Sequence, residues 1–116
     1  MTEQLTIPGI SVVIPAYFSA ATLPELISRL LKVLAAMNQD HEVILVNDGS
    51  TDETWNVIKR ISGENYGRVV GINLMRNFGQ HNATLCGIRA ARFDTCVTMD
   101  DDLQHNPEAV PLLVAK

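Results

Sequence analysis

The sequence predicts an α/β fold with a largely parallel sheet, and three observations carry that prediction. Four short apolar runs alternate with stretches of helical periodicity. The second run, Val43-Ile44-Leu45-Val46, is apolar at every position, as a strand covered on both faces must be. Each run is followed by a polar cluster, which is where parallel α/β sheets gather ligands.

The first strand is expected at about Ile10 to Ile14, closed by Pro15. A helix follows: Leu23, Leu26, Ile27, Leu30, Leu31 and Leu34 fall at steps of three and four along one face, and Thr22 with Glu25 has the capping-box pattern. The second strand is expected at Glu42 to Val46. The next helix opens with Ser50 and Glu53 in the same pattern, buries Trp55, Ile58 and Ile61, and is expected to end at Gly63. The third strand runs from about Arg68 to Leu74. The third helix, about Gln80 to Arg92, is rich in small residues (Ala83, Cys86, Gly87, Ala90, Ala91) that allow close approach to the sheet. The fourth strand, about Thr95 to Met99, runs into three aspartates. A last helix starts at Asn106-Pro107, with Asn as cap and Pro at the first helical position.

With 116 residues, 47% of them apolar, the chain can bury one sizeable core, so a single unit over 1–116 is expected. Its 9 basic and 13 acidic side chains give a formal charge of -4, which excludes the basic face that a nucleic-acid partner requires. Cys86 and Cys96 show neither paired CxxC spacing nor a histidine at ligand spacing, so reduced, buried thiols of a cytosolic protein are expected. No apolar stretch approaches the ~20 residues of a membrane helix. The first nine residues lack a basic start and apolar core, so no secretory signal is read there. His41 is expected at the surface, and His81 and His105 as hydrogen-bonding residues at helix starts. The last helix still carries Val110, Leu112, Leu113 and Val114 in need of cover when the sequence ends at Lys116, so self-association or packing against further sequence is expected.

Four polar clusters would share one rim of the sheet: Pro15-Ala16-Tyr17, Asn47-Asp48-Gly49-Ser50-Thr51-Asp52, Arg76-Asn77-Phe78-Gly79-Gln80, and Asp100-Asp101-Asp102-Leu103-Gln104-His105. Three adjacent carboxylates repel one another, and a bound cation relieves that repulsion. In an extended chain Asp100 and Asp102 would share one face, with Asp101 directed elsewhere. Oxygen ligands favour Mg2+ or Mn2+, which complete their coordination with substrate phosphates. A solvated acidic turn is the alternative, and position at a strand end favours the metal. Asp48 can accept from the imide N–H of a pyrimidine or a ribose hydroxyl, whereas Ser50 is expected to cap the following helix. Arg76 suits either a structural carboxylate or a diphosphate. Tyr17 suits either stacking on a base or a place in the rim.

In these four clusters, and over nearly the whole chain from Ser11 to Leu113, the sequence resembles the large inverting glycosyltransferase family with the Rossmann-like A-type fold, especially members that move sugars onto polyprenyl phosphates. The resemblance rests on Val13-Ile14-Pro15-Ala16-Tyr17, Val46-Asn47-Asp48-Gly49-Ser50-Thr51-Asp52, Arg76-Asn77-Phe78-Gly79-Gln80-His81 and Met99-Asp100-Asp101-Asp102-Leu103-Gln104-His105 with Pro107-Glu108. It implies that Pro15, Tyr17 and Asp48 line a base and ribose pocket, that Asp100 contacts the nucleotide, and that Asp102 with Gln104 holds the divalent metal. The sequence departs from the family in Phe18-Ser19, where Asn-Glu is frequent, in Asn47, where a second aspartate is frequent, and in Asp101, where alanine is common.

The resemblance further implies a nucleotide-diphosphate sugar as donor, UDP preferred over GDP, and a lipid phosphate or glycan acceptor bound by sequence beyond Lys116. The expected setting is cytoplasmic, at the inner face of the membrane in a complete enzyme, within cell-envelope polysaccharide synthesis. A second reading is a non-catalytic nucleotide-binding module or a shortened relic, which would bind without metal and without distinguishing sugar nucleotides from plain ones. A dinucleotide dehydrogenase would show GxGxxG after the first strand and a phosphorelay receiver acidic residues there; Pro15-Ala16-Tyr17-Phe18 supplies neither.

Overall fold

A computed structural model describes residues 7–103 and 106–114. The elements alternate along the chain as β1 (Ile7–Ala16), α1 (Leu23–Ala36), β2 (His41–Asn47), α2 (Thr54–Glu64), β3 (Val69–Asn73), α3 (Gln80–Ala90), β4 (Phe93–Thr98) and a 3-10 turn (Pro107–Ala109) leading into α4 (Val110–Val114). The four strands form one sheet in the order β3-β2-β1-β4, every pairing parallel. The expected α/β architecture, flanked by helices, is the one observed.

Each face of the sheet has its own core. On one, Val12, Ile14, Val43 and Leu45 meet the buried stripe of α1 (Leu23, Leu26, Ile27, Leu30, Leu34) and Ile58 and Ile61 of α2. Burying each such side chain contributes about 2 kcal/mol. On the other face Val13, Ile44 and Val46 meet Ala83 of α3. Here small residues decide the geometry: a Cβ on Gly87 would stand 2.4 Å from Val13 Cγ1 and 3.1 Å from Val46 Cγ2, so the helix rests directly on the sheet.

Pro15 does not close β1, which continues to Ala16. Val13 accepts from Met99 on the β4 side and Ala16 from Asp48 on the β2 side. Alternation therefore turns the donor-less Pro15 nitrogen toward β4, beyond the last paired residue of that strand, where no ladder bond is lost. Nor does Gly63 end α2. The helix runs to Glu64, and Asn65 ends it by donating to the Ile61 carbonyl from both its backbone and its side chain.

The opposite end of the sheet holds a polar network that the sequence did not announce. Glu42, 1% exposed, accepts from the Ser11 hydroxyl at 2.7 Å, the Arg92 backbone at 2.8 Å and Arg92 Nε at 2.9 Å. This pull on Arg92 ends α3 at Ala90, two residues before the expected stop. His41, expected at the surface, is the buried first residue of β2: its Nε2 accepts from Arg68 and its Nδ1 donates to the Gln39 carbonyl. Both cysteines are free and neither is fully buried as expected: Cys86 on α3 is half-buried, and Cys96 is exposed because alternate residues of β4 face outward. At the last helix Val110 is buried and Leu112 and Leu113 are largely exposed. Among the described residues no helix is long and apolar enough to cross a membrane.

Candidate functional site

From β1 the chain builds outward through β2 to β3, then returns to the other side of β1 for β4. The reversal leaves a crevice beyond the carboxyl ends of β1 and β4, the place where open α/β sheets bind ligands. β1 delivers Pro15, Ala16 and Tyr17 to that crevice, and β4 delivers Met99, Asp100 and Asp101. The two strands stay joined beyond the last register pair, because Met99 N–H donates to the Val13 carbonyl at 3.0 Å. The Asp101 carboxylate accepts from Tyr17 N–H at 2.9 Å, and its carbonyl from the Thr22 hydroxyl at 2.7 Å. Asp100 Oδ1 accepts from the Gln80 amide at 2.8 Å. Beside these contacts lies a cleft of about 480 Å³, lined by Pro15, Gln80, Thr84, Met99, Asp100 and Leu113 among others.

The loop from β1 to α1 is held by side chains of other elements at three consecutive N–H groups. Tyr17 donates to Asp101, Phe18 to Ser50 Oγ at 2.9 Å, and Ser19 to Thr54 Oγ1 at 3.0 Å. Two expected caps are thereby corrected. Ser50 serves Phe18 of a neighbouring loop, while the Asp52 carboxylate takes the N–H and hydroxyl of Thr54 at the start of α2. The Thr54 hydroxyl holds the Asp52 carboxyl below the usual carboxylate range. Thr22 precedes α1 without capping it, since its hydroxyl is directed to Asp101. The Tyr17 and Phe18 rings, each about half exposed, meet edge to face with centroids 4.6 Å apart.

On the other flank β2 brings Asp48, 3% exposed, whose Oδ1 accepts from Phe78 N–H at 2.8 Å. The neighbouring Asn47 amide donates to Asn73 at 2.8 Å. Gly49, at φ 74°, lets the loop after β3 pass so close that a Cβ would lie 2.3 Å from Arg76 C and Asn77 N. Arg76 is exposed, its guanidinium 4.8 Å above the Phe78 ring. Among the described residues it joins no ion pair.

Of the residues singled out from sequence, Pro15, Tyr17 and Asp100 meet in the crevice, Asp48 stands on the adjacent strand tip, and Arg76 lies on the loop beyond it. Asp102 is exposed, and Gln104 lies outside the described residues, as does His105. The extended geometry expected of the triplet is not kept: residues 101–103 form a bend with Leu103 left-handed at φ 63°, because β4 ends at Thr98 and the chain turns toward the 3-10 turn. Among the described residues no group of three or more His, Cys, Asp or Glu is arranged to hold a metal ion. The carboxylates that are present have the hard-oxygen chemistry that Mg2+ and Mn2+ favour. The contacts of Asp101, Ser50 and Thr54 were not foreseen, and only the strand order, which brings β4 beside β1, could have pointed to the first.

The model of the family described as glycosyl transferase family 2 matches residues 11–116. The chain is 45% identical over 116 residues to the undecaprenyl-phosphate 4-deoxy-4-formamido-L-arabinose transferase of Shewanella sediminis (strain HAW-EB3), covering 100% of this chain and 35% of that protein. It is 42% identical over 116 residues to the enzyme of the same name from Enterobacter sp. (strain 638), covering 100% and 36%. The chain thus spans about a third of the length of these curated relatives. Among solved structures, glucosyl-3-phosphoglycerate synthase from Mycobacterium tuberculosis, in complex with Mn2+, UDP-glucose and phosphoglyceric acid, superposes with a TM-score of 0.72 at 26% identity, over 93% of this chain and 38% of that one. A mannosyltransferase from Pyrobaculum calidifontis, in complex with GDP-mannose and Mn2+, shares the fold with a TM-score of 0.70 at 22% identity, over 82% and 28%. The matched family model, spanning all four rim clusters, shows that the chain belongs to glycosyl transferase family 2.

Proposed function

We propose that residues 1–116 form the donor domain of an inverting glycosyltransferase, binding a nucleotide-diphosphate sugar with a divalent metal for transfer to a polyprenyl phosphate or a glycan. The observation that carries this reading is the docking of the acidic turn after β4 onto the end of β1, at the reversal of strand order. The names of the relatives support a polyprenyl-phosphate acceptor, and the Mn2+ and UDP-glucose in the synthase complex support the donor and the metal.

Pro15, Tyr17 and Asp48 take the base and ribose, with Tyr17 offering a half-exposed ring for stacking. Asp48 is already held in place by Phe78 N–H, so it receives a ligand without reorganising. Arg76, exposed on the same rim, contributes positive charge to the diphosphate, and Asp100, steadied by Gln80, contacts the nucleotide. Asp102 and Gln104 would hold Mg2+ or Mn2+, which supplies stabilisation of the charge that builds on the leaving nucleoside diphosphate. A polyprenyl phosphate is already an anion near neutral pH, so the acceptor needs positioning and charge compensation more than a general base. The preferred donor is a UDP-sugar. Acceptor contacts belong to the part of the relatives that this chain does not span, and little or no transfer is expected from these 116 residues.

Calorimetric titration of UDP, UDP-glucose, GDP-mannose and ATP, with Mn2+ and with chelator, tests the reading on the unsubstituted chain and on Asp102→Ala. Metal-dependent binding of one sugar nucleotide that is lost in Asp102→Ala is the expected result. Metal-independent binding that treats ATP and UDP-glucose alike would instead favour a non-catalytic nucleotide-binding module.

A further inference from the structure

Asp101 stands between two residues to which the proposed function gives the nucleotide and the metal, yet its own carboxylate and carbonyl are bound to the loop after β1. Its carboxylate takes the N–H of Tyr17 and its carbonyl takes the hydroxyl of Thr22. These two partners bracket the β1–α1 loop, one residue after β1 ends and one before α1 begins. A single residue of the acidic turn therefore clasps both ends of the loop that carries the stacking tyrosine. The intervening N–H groups of Phe18 and Ser19 are bound by Ser50 and Thr54, so the loop cannot take another path without giving up several bonds at once. Phe18 is held at φ 51°, a conformation that a residue with a Cβ leaves when it is released.

What the clasp needs is an acceptor oxygen placed 2.9 Å from Tyr17 N–H, which an amide of the same shape also supplies. An alanine at this position would leave Tyr17 N–H to water.

We propose that Asp101 is a positioning residue and not a third ligand of the metal: it locks the Tyr17 loop to the turn carrying Asp100 and Asp102, so that base pocket and metal arm are held in one register. The proposal rests on the donor-binding reading, and its test separates the two.

The 116-residue chain is compared with Asp101→Asn and Asp101→Ala by amide hydrogen exchange at Tyr17, with Leu45 in the buried core of β2 as internal control, and by titration of UDP-glucose in the presence of Mn2+. In Asp101→Ala, Tyr17 exchange is expected to quicken about tenfold while Leu45 is unchanged, and UDP-glucose affinity to fall about tenfold. Asp101→Asn keeps an acceptor oxygen and is expected to stay within about threefold of the unsubstituted chain in both readouts. A metal ligand would behave differently, because loss of charge would make Asn as damaging to UDP-glucose binding as Ala; that result overturns the proposal. Unchanged Tyr17 exchange in Asp101→Ala overturns it as well. If Asp101→Ala does not fold, Asp101→Asn decides alone: near-native affinity upholds positioning, and a tenfold or greater loss refutes it. Should the unsubstituted chain bind no UDP-glucose, the donor reading fails by itself, and the Tyr17 exchange rates still judge the clasp.

Discussion

Replacing Gly49 with alanine should destabilise the chain far more than the same change at Gly67, although both glycines have positive φ, at 74° and 85°. At Gly67 a Cβ meets nothing within 4 Å, so the substitution carries only the conformational cost of about 1 kcal/mol. At Gly49 the same cost applies, and the Cβ would also stand 2.3 Å from backbone atoms of Arg76 and Asn77, which cannot rotate away. The loop after β3 must then move, and with it Phe78 N–H, which donates to the nearly buried Asp48 carboxylate at 2.8 Å. Losing a hydrogen bond to a charged group costs about 2 kcal/mol. The expected penalty is about 3–4 kcal/mol, a large part of the roughly 6–17 kcal/mol available to a chain of this size. Urea denaturation of both variants measures the difference. If Gly49→Ala fell within about 0.5 kcal/mol of Gly67→Ala, the loop would be free to retreat, and the tie between the tips of β2 and β3 would have no structural weight.

Glu42→Gln keeps the shape of the side chain but replaces one acceptor oxygen with an N–H2 group in a nest of donors from Ser11 and Arg92; a loss of about 2–3 kcal/mol in denaturant titration is expected, and an unchanged midpoint would contradict the network. Ser19 Oγ is buried and has no hydrogen-bond partner among the described residues, so Ser19→Ala should be neutral or stabilising by up to about 1 kcal/mol, which thermal unfolding would reveal. Glu108, bound to Arg29, has its carboxyl held below the usual range by that hydrogen bond; its contribution is present above the unfolded glutamate pKa and is lost as pH falls through the lower folded value. Amide protection near Glu108, taken relative to the intrinsic exchange rate at each pH, should therefore fall at acid pH, and should be less pH-sensitive in Glu108→Gln.

Local patterns were enough to name the strands and helices among the described residues: an unbroken apolar run for β2, steps of three and four for α1, small residues for α3 and the Asn106-Pro107 start of the last helix. They could not reveal strand order, and the site depends on that order. Only the return of β4 to the free side of β1 makes a crevice from Tyr17 and Asp100. The errors fell on residues whose polar atoms have partners far along the chain. Thr22 and Ser50 fit the local pattern of a cap, but Asp101 and Phe18 N–H compete for them and prevail. Glu42 was legible only as the start of the second strand, and its three hydrogen bonds from Ser11 and Arg92 were not. A place in the loop before that strand spoke for surface at His41, where Arg68 and the Gln39 carbonyl instead satisfy the buried ring.

The departure from the family at Phe18-Ser19 illustrates how a rim can keep its shape while its chemistry changes. The left-handed conformation at position 18 suits asparagine, and phenylalanine there carries strain of about 1 kcal/mol. The strain persists because the loop is fixed by its backbone donors, which serve Asp101, Ser50 and Thr54 whatever side chain stands at 18 or 19. What the substitution alters is the surface the loop presents. A second aromatic ring now stands edge-on against Tyr17, and the next residue, Ser19, keeps a buried hydroxyl with no hydrogen-bond partner among the described residues. Strained backbone retained at the rim proposed to receive the donor is more easily understood as a support for that surface than as a lapse in packing, since a glycine at position 18 would remove the strain and the ring together.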